Sequence, residues 1–162
     1  MKNLLIRTPL LMGLLFSLGS FLLSNQVIAS EVSVEHGYVR ATIPGTKVSS
    51  AYMEIVNEGE KPVVLLSASG QISDRIEIHQ HTMENGMMRM RQQDSLTIPA
   101  HDSVTLQPGG YHLMIFNVTQ PLKVNDEITL TLHFKEAAAM TVTLPVKSIV
   151  RKKQTENHHH HH

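Results

Sequence analysis

The sequence predicts an all-β domain, an antiparallel sandwich or barrel, on three observations. Short apolar runs keep a period of two, clusters of Gly, Pro, Asn and Asp separate them, and no stretch within the domain keeps a helical period. Val32, Val34 and Val39 open the first run, and Ala51 to Val56 form the second, closed by the turn-forming Asn57-Glu58-Gly59. Val63 to Leu66 is short and ends at Ser69-Gly70. Arg75 to His81 mixes apolar and polar residues at period two, and Asn85-Gly86 is a strong hairpin signal ahead of Met87 to Arg91. Pro99, Pro108-Gly109-Gly110 and Asn125-Asp126 punctuate further strands around Val104 to Leu106, Tyr111 to Phe116, Ile128 to Phe134 and Met140 to Val146. The cleanest alternation runs from Ile128 to Phe134, apolar on even positions, which sends His133 to the solvent face.

The chain opens with Lys2 and Arg7, an apolar run from Leu10 to Leu23, and Val27-Ile28-Ala29. Together these read as a secretory signal peptide over residues 1–29, and place the protein in the periplasm with no stable membrane insertion after cleavage. No second apolar stretch reaches spanning length. Residues 30–148 make one domain with one core, and 149–162 a polar, His-rich tail. Setting Lys2 and Arg7 aside, twelve basic residues stand against fourteen acidic ones, and tryptophan is absent. A nucleic-acid partner is excluded, since it would require a clustered basic face and stacking aromatics.

Chemistry concentrates between residues 79 and 114. His79, Met90, His112 and Met114 combine imidazole with thioether in a chain that has no cysteine. Thioether sulfur is soft, uncharged and indifferent to pH, so this donor set suits Cu(I) and suits hard cations poorly. On a strand, residues two apart share a face, so His112 and Met114 form one bidentate pair and His79 and His81 another. The hairpin at Asn85-Gly86 returns Met87, Met88 and Met90 to the His79 strand, leaving a single long-range contact to unite the pairs at one rim. His81, Met83, Met87 and Met88 are auxiliary candidates, and a neighbouring methionine is able to replace Met90 or to help a second ion dock. Met53 and Met140 read as core filler, and His36 and His101 as surface or turn residues. The terminal run His158, His159, His160, His161 and His162 is either an expression tag or a natural tail that captures Cu(II) or zinc.

The spacing His79, ten residues, Met90, twenty-one residues, His112, one residue, Met114 resembles that of the periplasmic copper chaperones of the PCu(A)C family. Neighbouring words match it as well: Ala51-Tyr52-Met53 followed by Asn57, Ile76-Glu77-Ile78-His79, Met88 to Arg91, Pro108 to Met114, and Leu130 to Phe134. Tyr38 departs from the pattern, standing where tryptophan is expected in many relatives. The resemblance implies a cupredoxin-like Greek-key β-barrel and Cu(I) carriage through His79, Met90, His112 and Met114. It further implies delivery to an acceptor, either the cytochrome oxidase subunit carrying the CuA centre or a Sco-type assembly factor. The alternative is a copper-sequestering or resistance protein with no dedicated acceptor. An enzyme is not expected: no Gly-x-Ser-x-Gly elbow, His-Glu-x-x-His helix or Cys-His pair occurs.

Overall fold

The computed structural model describes residues 31–148. The signal peptide expected over residues 1–29 and the proposed tail site at His158, His159, His160, His161 and His162 lie outside the described residues. Ten strands follow one another without a helix among the described residues: β1 (Val32–Arg40), β2 (Ser49–Asn57), β3 (Val63–Ser69), β4 (Arg75–Glu84), β5 (Met87–Gln93), β6 (Leu96–Ile98), β7 (Asp102–Leu106), β8 (Tyr111–Phe116), β9 (Glu127–Lys135) and β10 (Met140–Lys147). They form one sheet in the order β5-β4-β8-β7-β2-β1-β10-β9-β3-β6, with a further pairing of β8 to β2. The all-β reading holds. Most neighbours are antiparallel, but β1 with β10 and β7 with β8 are parallel. Both parallel contacts are short, two rungs (Val39 with Val146, Arg40 with Lys147) and one rung (Leu106 with Tyr111). Neither has a local sequence signal, because each joins runs that are not consecutive hairpin partners.

Alternation explains the strands. In β9 the even positions Ile128, Leu130, Leu132 and Phe134 are buried, and His133 lies on the outer side, its Nε2 2.8 Å from Ser69 Oγ. In β4 and β8 the inward residues are Ile78, Leu113 and Ile115, which join Ile55, Leu65, Leu106 and Leu130 in one core. Met53 is a fully buried core residue, and Met140 packs against the core from its edge. At the β4–β5 turn Asn85 and Gly86 both have positive φ, 52° and 75°, the pair of conformations a tight two-residue hairpin requires.

Asn57 does more than begin a turn. It is the last residue of β2 and almost wholly buried. Its side-chain amide donates to the carbonyls of Lys61, Ile98 and Pro99, while its carbonyl oxygen accepts from Gly59 N–H. One side chain thus replaces the ladder partners that the chain lacks where it turns. Replacing Asn57 with Ala should cost about 2–4 kcal/mol, since buried carbonyls lose their donor. The urea midpoint checks this, and an unchanged midpoint would mean that water satisfies those groups.

Candidate metal centre

The inward register of β4 and β8 dictates what faces outward. Ile78 pairs with Leu113 and Ile76 with Ile115, so the intervening rungs put His79 opposite His112 and Glu77 opposite Met114 on the other face. Across the hairpin His81 stands opposite Met90, and Met83 opposite Met88. Ser50 of β2 stands opposite Met114 from the other side, its Oγ 3.8 Å from Met114 Sδ. His79, Met90, His112 and Met114 therefore share one sheet face, together with His81, Met83 and Met88. Met87 does not: it pairs with Glu84 and belongs to the hairpin's other face. The two-residue turn swaps parity, so even positions of β5 meet odd positions of β4.

Ring contacts tie the cluster together. The His79 and His112 centroids are 5.9 Å apart, and His81 stacks on His112 at 5.0 Å. Tyr52 lies 6.3 Å from His112 and is itself backed by Tyr38 at 5.2 Å. The tyrosine that departs from the expected tryptophan thus buttresses, through Tyr52, a buried histidine.

Hydrogen bonds decide which nitrogen of each imidazole is free. The ionised Glu77 carboxylate can only accept, so at 2.7 Å it takes the Nε2–H of His79 and leaves Nδ1 as the lone-pair atom. That Nδ1 is buried and has no partner, as is the Nδ1 of His81. Glu77 is itself gripped by Arg75 Nε at 2.6 Å, and the histidine and the guanidinium, in that order, hold its carboxyl below the usual carboxylate range. The carbonyl of Gly110 likewise can only accept. It takes Nδ1–H of His112 at 3.2 Å, so Nε2 is the bare nitrogen of the neutral ring. Gly110 is also fixed by His81, whose backbone N–H donates to the same carbonyl at 3.1 Å.

The bare Nε2 of His112 lies 3.3 Å from Met90 Sδ. With its proton on Nδ1, nothing bridges these two electron-rich atoms. A nitrogen and a sulfur bound to one tetrahedral metal at about 2.0 and 2.3 Å are held about 3.5 Å apart, so the spacing already suits a shared ion. Burial is graded across the cluster. His112 is almost fully buried, whereas Met90 is 46% exposed.

Glu77, Ser50, Tyr52 and Gly110 escaped the sequence reading as parts of this site. Glu77 was the one with a local signal, two residues before His79 on the same strand face. A cleft of about 540 Å³ elsewhere on the domain is lined by Glu35, Glu54, Glu58, His101 and Asp102 among others and holds none of these soft donors. At its wall Glu35 and Glu54, with the neighbouring His36, bring donor atoms within 4.8 Å of one another, Glu35 and His36 being exposed.

Fold and donors together define a small β-sheet protein with a soft-ligand face built on three adjacent strands. The family comparison is specific: residues 32–146 match the model described as "Putative lipoprotein LpqE-like", and the chain belongs to that LpqE-like family. It is 28% identical to "Putative lipoprotein Lxx21020" of Leifsonia xyli subsp. xyli (strain CTCB07) over 74% of this chain and 71% of that one. Among solved structures, the copper-bound PCuAC domain from PmoF2 superposes with a TM-score of 0.64 at 23% identity, covering 74% of this chain and 94% of that domain. The solution structure of CuI-DR1885 from Deinococcus radiodurans superposes with a TM-score of 0.59 at 27% identity, covering 76% and 81%. The resemblance to the PCu(A)C family drawn from the sequence is borne out.

Burial, first, and then the neighbouring imidazoles depress the His112 pKa, outweighing its hydrogen bond to Gly110. The sign is that of a ring resisting protonation, so the unfolded chain takes up its proton first as pH falls, and this ring then weakens the fold. In metal-free protein the His112 ring resonances should titrate below the ordinary histidine range, followed by NMR. A midpoint at or above about 6.5 would show a solvated ring.

Proposed function

We propose that this protein is a periplasmic copper chaperone that binds Cu(I) through His79, Met90, His112 and Met114 and passes it to an acceptor. The carrying observation is the pair of bare nitrogens, Nδ1 of His79 and Nε2 of His112, whose other nitrogens are already committed to Glu77 and Gly110, with Met90 Sδ 3.3 Å from the His112 nitrogen. Such outer hydrogen bonds fix ring orientation and raise ligand basicity. They also fit ligands that must be deprotonated to bind, which the depressed His112 pKa favours. The Cu(I) named in the DR1885 structure supports the same cargo. The lipoprotein names of the relatives support export, although this sequence holds no cysteine to carry a lipid.

Ligand physics sets the mechanism. Two neutral imidazoles and two thioethers leave a Cu(I) complex with one positive charge, easier to hold beside solvent than a doubly charged ion. The sequence lacks the cysteine of the His₂Cys electron-transfer sites, so a cupredoxin-like fold does not make it an electron carrier. Transfer proceeds by ligand exchange, beginning at the exposed Met90 and ending at the buried His112. The acceptor on this reading is a CuA-bearing oxidase subunit or a Sco-type assembly factor. The tail histidines, His158, His159, His160, His161 and His162, offer Cu(II) a separate place where they are native. Sequestration without an acceptor is the second reading, favoured by the surplus of exposed thioethers at Met83, Met87 and Met88.

His112→Ala and Met114→Leu should each weaken Cu(I) binding far more than His36→Ala in competition with a Cu(I) chelator. Equal effects would remove the site. Glu77→Ala should lower affinity about 10–100-fold, the range for loss of an outer-sphere partner, while the fold is retained. Mixing the loaded protein with an apo CuA domain separates chaperone from store, since only the chaperone gives up its metal.

A further inference from the structure

The β4–β5 hairpin has two unlike faces. One carries Glu84 with Arg91, Nη2 to Oε2 at 2.7 Å, and Arg89 at 3.5 Å. The other carries thioether and imidazole donors in successive rungs: Met83 opposite Met88 near the tip, then His81 opposite Met90, then His79 opposite His112 on the next strand. Met83 is 69% exposed and Met88 63% exposed, a large apolar display at positions that contribute nothing to the core. His81 stacks on His112, yet its buried Nδ1 has no partner. Opposed side chains on neighbouring strands start about 5 Å apart and successive rungs on one face about 7 Å, within reach of flexible methionines.

We propose that Met83, Met88 and His81 form a second, outer Cu(I) stop, one rung beyond the main site, through which the ion enters and leaves. This rests on the copper reading above. Uncharged donors laid in sequence let the ion exchange one ligand at a time: thioethers at the tip, then His81, then Met90 and the buried His112. No electron moves and no bond forms except those to the metal. Two thioethers and one imidazole make the outer stop weaker than the four-donor site, which drives the ion inward. When an acceptor docks at the tip and supplies stronger ligands, the same rungs run outward.

The test is a Cu(I) titration of the full chain with ¹³C-labelled methionine methyls, under reductant. The first equivalent should shift Met90 and Met114, and the second Met83 and Met88. The double variant Met83→Leu, Met88→Leu alters only exposed positions at nearly constant volume. It should lose the second phase, keep the first equivalent, and load more slowly from a Cu(I)–chelator complex. If Met83 and Met88 stay unmoved while Met90 and Met114 respond, or if the double variant loads at the parent rate, the outer stop is wrong and the main site stands. A response at Met83 and Met88 before Met90 reverses the order of affinities and overturns the relay. Silence at all four methionines overturns both readings.

Discussion

The register of β4 against β8 is the constraint on which the rest depends. Ile76, Ile78, Leu113 and Ile115 meet inside, and a strand's alternation then leaves Glu77, His79, His81, His112 and Met114 no choice but the other face. A slip of one residue would bury the imidazoles and expose the isoleucines, so the hydrophobic core itself enforces the donor geometry. Placing these side chains on one face needs no loop held in a special conformation. It is the reverse side of the packing that folds the protein.

Hydrogen bonding then refines what register places. The chain Arg75 to Glu77 to His79 runs along a single strand face, each group two residues from the next, and ends by leaving one nitrogen bare. The Gly110 carbonyl does the same for His112 from the approach to β8, where Gly109 has a φ of 83°. Tautomer choice at both rings is thus built into the backbone and the strand pattern before any ion arrives.

Much of this was legible because the decisive contacts are local or periodic. The alternation of β9 and the shared face of His112 and Met114 follow from period two alone, and the Asn85-Gly86 hairpin from two residues that accept positive φ. Met87 stands apart from Met88 and Met90 because neighbours on one strand point to opposite faces. The parallel rungs of β1 with β10, the approach of Tyr52 to His112, and that of Ser50 to Met114 join segments far apart in sequence, and no local pattern encodes them. Asn57 looked like a turn former because its residue type favours turns. Its burial and four hydrogen bonds depend on Lys61, Ile98 and Pro99 arriving from elsewhere.

The strand that carries Met88 is also the margin of the sheet. Unpaired backbone at such a margin recruits other chains, and a neighbouring apolar surface would ordinarily make fibrous association worse. Here Arg89 and Arg91, clasped to Glu84, line the back of that margin. A second copy seeking to extend the ladder would have to strip water from those ions. Charge along one side of the hairpin is what lets Met83 and Met88 stand uncovered on the other without the molecules zipping together.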